Sequence, residues 1–305
     1  MCIRDRYHEG NKEDAAKALL KYYQNRKSII NPTIDLDSIT ISKQEQEWAD
    51  EALKHTFYVH DGYRPFNYGK DINWQYWPVK DNELRWQLHR HKWFISMGKA
   101  YYLSKDEKYA KEWVYQYRDW IRKNPLLEID AQEYEILSHS KTKDVAENVR
   151  FAWRPLETSH RLADQINQFT LFLSSPSFTA DFLTEFLVNY RRHAFHVLHS
   201  YSAEGNHLLF EAQRMIYAGV FFPEFKEAVS WRESGIKILN REIEKQVYKD
   251  GGQYELDLGY HAACADIFQK ALFMAESNGF HNEFPQSYIK TVETVSYTHL
   301  TLPTT

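Results

Sequence analysis

Two short stretches place polar residues where chemistry can be held. The first, Ser202-Ala203-Glu204-Gly205-Asn206-His207, joins two apolar helical segments, so Asn206 and His207 stand at a helix beginning. Free backbone N–H groups and the positive end of the helix dipole favour an anion there. The Asn206 amide and the His207 ring would add donors, and a carboxylate is the ligand such a set suits. An asparagine at that place also makes a good N-cap, and the residues alone leave both readings open. Glu211, a little over one turn further on, would either orient Asn206 or satisfy a buried polar position.

The second stretch is Lys249-Asp250-Gly251-Gly252-Gln253-Tyr254-Glu255-Leu256-Asp257-Leu258-Gly259-Tyr260-His261. Asp-Gly-Gly signals a tight turn between helices. Gln253, Glu255 and Asp257 then alternate before Gly259-Tyr260-His261 opens the next helix. Taken alone this is an interhelical loop with a buried tyrosine. Two polar, glycine-flanked helix starts in succession shift the balance toward a site.

The elements that must hold these starts are helices. Apolar periodicity marks residues 13–23, 44–55, 83–103, 107–122, 155–173, 178–200, 206–221, 224–248 and 260–278, with a further helix from about Pro285. Short links carry helix punctuation: Ser104 and Asp106 before 107–122, Pro155 in a first turn, Ser177 before 178–200, and Pro223 between two helices. Successive antiparallel pairs of similar length predict an all-α fold that could close into an (α/α) toroid or stack as an open solenoid, and the lack of a strict repeat favours the toroid. The least regular pieces, 56–82, 124–154, 201–206 and 249–260, could gather at one rim. The long aromatic stretch 56–82 offers Asn73, Trp74 and Trp77 as cleft-lining residues, and Trp153 and Arg154 precede Pro155 where an indole could stack on a sugar and a guanidinium grip an acid group.

Composition agrees with that picture. The 305 residues include 9 Trp, 21 Tyr and 18 Phe against 11 Gly and 9 Pro, which suits long helices with broad aromatic faces, for a thick core or for sugar stacking. A net charge of -4 argues against a general nucleic-acid binder, so a polyanion would have to meet a local cationic cluster. No stretch approaches a membrane span. Cys2 and Cys264 imply no disulfide framework. His193, His196 and His199 are spaced at i, i+3 and i+6 without a completing Cys or carboxylate, and no metal site is read from them. Residues 1–6 and 295–305 resemble translated adaptor sequence, and the expected domain is 7–294.

GNHLLFEAQ (Gly205 to Gln213) paired with DGGQYELDLGYH (Asp250 to His261), and preceded by INWQYWP (Ile72 to Pro78) and WRPLETSHR (Trp153 to Arg161), resembles the heparinase II/III superfamily of polysaccharide lyases. The likeness runs from about Glu9 to Glu293, and within the superfamily it is strongest to the heparinase III type. Asn206 and Tyr260 lie 54 positions apart (260 − 206), as do the catalytic Asn and Tyr of that family.

The resemblance implies an incomplete (α/α) toroid followed by an antiparallel β-sandwich domain that lies outside this fragment. It implies an acidic polysaccharide as substrate, heparan sulfate first, and a periplasmic or secreted location. Asn206 and Tyr260 would be catalytic, with His207, Trp153, Arg154, Glu211, Asn73, Trp74, Gln253, Glu255 and His261 as substrate-binding residues. No cofactor is implied for this domain, and a metal in the downstream domain is left open.

The residue types suit β-elimination. Removing a uronate C5 proton builds charge beside an existing carboxylate, and donors aimed at that carboxylate lower the cost. Asn206 fits that task, and Tyr260 fits proton transfer. The alternatives are an alginate or oligoalginate lyase, an (α/α) glycoside hydrolase using Asp250, Glu255 and Asp257, and a non-catalytic glycan-binding scaffold.

Overall fold

The computed structural model describes residues 7, 10–127, 147–254 and 258–301. Two units divide the chain: residues 1–27 with 34–193, and residues 28–33 with 194–305. In both, the fold class is the expected all-α one, built of antiparallel helix pairs.

The first unit holds α1 (Lys12–Asn25), α2 (Lys43–Ala52), α3 (Asn82–Leu88), α4 (Trp93–Ser104), α5 (Glu107–Lys123), α6 (Pro155–Phe172) and most of α7 (Ala180–His199). Local chemistry explains the starts. Asn11, Asp81 and Asp106 each accept a bond from a first-turn N–H, and Ser42 with Glu45 forms a reciprocal capping box. Pro155 opens α6 as expected. The cap of α7 is Thr179, whose Oγ1 accepts from the Phe182 N–H at 3.2 Å, rather than Ser177. Within 56–82 a two-residue antiparallel pair, β1 (Thr56–Phe57) with β2 (Phe66–Asn67), gives order that periodicity alone does not reveal.

One expected helix is two. Residues 83–103 break at His89–Lys92, where His91 takes a left-handed φ of 58°. The carbonyl of His89 accepts instead from Arg161 Nη1 at 2.9 Å, a tertiary bond that helical periodicity cannot show.

The core of this unit is aromatic, with Trp113 stacked on Phe172 at 4.2 Å and Phe57 on Trp93 at 4.1 Å. Buried indole N–H groups are matched one by one: Trp93 to Gln116, Trp113 to Gln168, Trp120 to His89 Nδ1, Trp74 to Asp119 and Trp153 to the Asn124 carbonyl. Such pairing lets an indole bury its full area without an orphaned donor. Truncating one to alanine would cost about 3–5 kcal/mol.

The second unit contains the end of α7, then α8 (Gly205–Phe221), α9 (Ala228–Gln246), α10 (Leu258–Glu276) and α11 (Gln286–Thr301). α8 and α9 are antiparallel and close: a Cβ on Gly219 would meet Arg232 Cγ at 2.7 Å, and one on Gly235 would meet Ile216 Cγ1 at 2.7 Å. Only glycine permits that approach. The α9 helix starts at Ala228, later than the expected 224, because Phe225 and Ala228 close turns onto Phe222 and Phe225. Buried Arg232 clamps Glu283 through Nε and Nη2, each at 2.7 Å, and donates to the Gly219 carbonyl at 2.8 Å.

Candidate functional site

Within the second unit, α8 and α10 begin side by side. Glu204, just before α8, is 3.7 Å from Lys245 near the end of α9. The hairpin that follows α9 folds back on it, with the Tyr254 N–H donating to the Gln246 carbonyl at 2.8 Å, and α10 starts four residues later at Leu258. Further along, Gln213 Nε2 donates to the Ile267 carbonyl at 2.9 Å. Gln213 is seven residues beyond Asn206 and Ile267 seven beyond Tyr260, so the two helix starts are level, each about 10 Å along its axis from that bond.

The start of α8 decides between the readings of Asn206. The cap position is Glu204, in extended backbone and without a capping side-chain bond; Gly205 follows with φ of 76°, and Asn206 is already inside the first turn. Asn206 is therefore not the cap. It is half-buried, and no side chain or backbone group among the described residues hydrogen-bonds its amide. His207, also half-buried, follows it in the same turn.

Glu211 is fully buried, and its carboxylate is spent on the loop. Oε2 accepts the Ser202 N–H at 2.7 Å and Oε1 the Ser202 hydroxyl at 2.8 Å. This corrects the expectation of a substrate contact: buried Glu211 holds Ser202, four residues before Asn206. Tyr201, next to this segment, bonds Ser234 at 3.1 Å, and its phenol is pushed up by burial.

The Asp-Gly-Gly signal resolves as a tight hairpin. Val247 bridges to Gln253, Gly251 has φ of 87°, and Asp250 Oδ1 accepts the Gly252 N–H at 3.0 Å. That bond gives Asp250 a turn-making task. Gln253 and His261 are both buried, which removes them from a solvent-facing cleft in this state. Tyr260 lies in the first turn of α10. Glu255 and Asp257 lie outside the described residues.

The candidates of the first unit divide differently. Trp74 and Trp153 are buried, with indole N–H groups bonded to Asp119 and Asn124, so neither offers a face to a sugar, a correction to the expected stacking. Asn73 is exposed, and its Oδ1 accepts the Gln75 N–H at 3.0 Å in a local turn. Arg154 is partly exposed, lies 4.1 Å over the Trp86 ring and 3.6 Å from Glu157. Sequence reasoning missed Arg85, Trp86 and Glu147; the available signal was the close spacing of tryptophan and arginine at 77, 85 and 86.

The heparinase II/III N-terminus family profile matches residues 2–304, and the chain belongs to that family. It is 63% identical over 304 residues to a heparin-sulfate lyase of Bacteroides stercoris, covering 99% of this chain and 46% of that one. A solved heparinase III gene product with methylated lysines is 66% identical, with a TM-score of 0.89 over 97% of this chain and 46% of the other. The heparan sulfate lyase HepC of Pedobacter heparinus is 48% identical, with a TM-score of 0.84 over 98% and 46%. The chain thus spans about half the length of the curated relatives it matches.

Proposed function

We propose that this chain is the uronate-binding half of a polysaccharide lyase that cleaves heparan sulfate by β-elimination. The observation that carries the reading is the unengaged amide of Asn206 in the first turn of α8, level with Tyr260 in the first turn of α10. Two relatives are named heparin-sulfate lyases, which supports the substrate class.

In this scheme the Asn206 amide, helped by His207 and the N-terminal dipole of α8, binds the uronate carboxylate and takes up the charge that builds when the C5 proton leaves. The electron pair of that C–H bond forms C4=C5, and the C4–O glycosidic bond breaks toward its oxygen. A phenol is suited to protonate the leaving oxygen, and Tyr260 takes that role in this scheme. A downstream β-domain supplies the base that takes the C5 proton. In this half of the scheme side chains fill each role, with no cofactor. A polysaccharide substrate of this size supports a periplasmic or secreted protein.

The test joins this chain to the remaining half of the Bacteroides stercoris relative and follows ultraviolet-absorbing unsaturated products on heparan sulfate, heparin, chondroitin, hyaluronan and alginate. Product from heparan sulfate, lost in Tyr260→Phe, is the expected result. Full activity in Tyr260→Phe and Asn206→Ala, or no unsaturated product from any polymer, defeats it; product from alginate alone moves the assignment to the alginate lyases.

A further inference from the structure

In the first unit, three aromatic rings and two guanidinium groups lie in series: Trp77, Arg85, Phe151, Trp86 and Arg154. The Arg85 guanidinium lies 4.2 Å from the centre of the Trp77 ring and 3.7 Å from that of Phe151. Phe151 is 5.9 Å from Trp86, and Arg154 lies 4.1 Å over Trp86. The Trp86 N–H donates to the Arg150 carbonyl at 2.9 Å, which ties residues 147–154 to α3.

Buried carboxylates lock the cations in place. Glu147 pairs with Arg85, accepting from its Nε at 3.0 Å. Fully buried Glu157 accepts from Arg90 Nη2 at 2.9 Å and lies 3.6 Å from Arg154. Arg150 is exposed and has no carboxylate partner among the described residues. Among the described residues, Arg85, Arg90 and Arg154 pair with the two buried carboxylates, and exposed Arg150 is the guanidinium that an anion arriving from solvent would meet.

The outer end of the series is built for contact. Trp77 is 44% exposed, yet its ring is fixed from behind by Arg85 and by its N–H to the Asp81 carbonyl at 3.4 Å. A ring held this way loses little freedom when a ligand covers its other face. Indole faces take the C–H side of a sugar, and guanidinium groups take sulfate or carboxylate in two-pronged fashion. The two chemistries occur together in one cluster, as acid groups and ring faces occur together along an acidic polysaccharide.

We propose that the Trp77–Arg85–Phe151–Trp86–Arg154 cluster, with Arg150 beside it, is a binding subsite for an acidic polysaccharide strand. The occupant rests on the lyase reading above; the cluster and its exposed Arg150 do not. Trp77 and Arg150, the solvent-facing members, make the contacts, and Arg85 and Arg154 hold the ring faces in position.

The experiment measures binding of this chain to heparan sulfate, to dextran as a neutral sugar polymer, and to polyglutamate as charge without sugar. The variants are Trp77→Ala with Arg150→Gln, Arg150→Lys alone, and Lys43→Gln as a surface control. Both target positions are exposed, so thermal midpoints near wild type are expected and verify folding. The double variant is expected to bind heparan sulfate about tenfold more weakly, with Arg150→Lys intermediate and Lys43→Gln unchanged. In the chimera with the downstream half, KM should rise by a similar factor while kcat holds.

Unchanged heparan sulfate binding in a folded double variant overturns the subsite, as does equal weakening on heparan sulfate and polyglutamate. A chimera that makes no unsaturated product, while the double variant still loses heparan sulfate binding, overturns the lyase reading and leaves the subsite standing.

Discussion

The start of α8 and the knot around Arg161 both come from motifs that stand out in the sequence, and they use their polar groups in opposite ways. Arg161 is buried and bonded at all three guanidinium nitrogens: Nε donates to His193 at 2.9 Å, Nη1 to the His89 carbonyl at 2.9 Å and Nη2 to Thr158 at 3.2 Å. Its guanidinium also lies 4.4 Å over Trp120 and 5.1 Å over Trp153. Asn206 is half-exposed and, among the described residues, its amide is bonded to nothing. A guanidinium bonded at each nitrogen holds the fold together, whereas an amide left unbonded at a helix start is available to a ligand. Saturation of hydrogen bonds, rather than residue type, separates the two.

The largest effect expected from that contrast is on stability. Arg161→Leu removes three donors and leaves His193, the His89 carbonyl and Thr158 to find other partners inside the protein. Each orphaned buried acceptor costs about 1–3 kcal/mol, and about 3–5 kcal/mol in all is expected for the variant. Chemical denaturation with far-ultraviolet circular dichroism would register it. A loss under about 1 kcal/mol would mean that the knot is not a keystone.

Asn206→Ala should do the reverse. With no partner to strand, its thermal midpoint should stay near wild type, while turnover in the chimera falls about 100- to 1000-fold, the usual consequence of deleting one preorganised donor. A variant that unfolds more readily but turns over normally would exchange the roles assigned to the two regions.

The same contrast explains what the sequence makes legible. Helix positions, the Asp106 and Pro155 starts and the Asp-Gly-Gly hairpin follow from local rules, since each depends on neighbours within a few residues. The break at His89–Lys92 depends on Arg161, 72 positions from His89, and no local pattern carries it. Trp74 and Trp77 look alike in INWQYWP, yet one is buried on Asp119 and the other faces solvent, a distinction made by α5 and α3. At the α8 start the sequence supplied Asn206 but not its freedom, because that required the cap to fall on Glu204. Glu211 was visible, and its partner Ser202 nine residues back was not paired with it.

Acidification should load the knot more than its distance from the surface suggests. His89 is buried and its pKa is lowered to about 3, by desolvation first and then by Arg161 and Arg85; His91 is lowered for the same first reason, with Arg161, His89 and His193 adding. His89 Nδ1 already accepts from Trp120 Nε1 at 3.1 Å, so a proton there would face another N–H. The unfolded histidine binds its proton near pH 6.5 and the folded one does not until about pH 3. Stability from His89 is therefore complete above pH 6.5 and declines as pH falls through the window down to about 3, by at most about 1.4 kcal/mol per pH unit. Urea midpoints at pH 7.5 and 5.5 would show it, and His89→Gln should flatten the slope; an unchanged slope would remove His89 as its source.

The smallest effect should come from Glu211→Gln, and it addresses the link between fold and site. The glutamine carbonyl can still accept the Ser202 N–H, and the Ser202 hydroxyl can turn to accept from the new amide, so about 1 kcal/mol of stability is at stake. The segment Glu211 holds leads directly into Asn206, and a site loosened by a fraction of an ångström loses rate before it loses structure. Turnover in the chimera should fall a few-fold, about three- to tenfold, with KM and thermal midpoint nearly unmoved. Because Asn206→Ala would already have removed the donor, adding Glu211→Gln to it should cost little further rate. Additive losses in the double variant would show that Glu211 acts independently of Asn206, and its positioning role would fall.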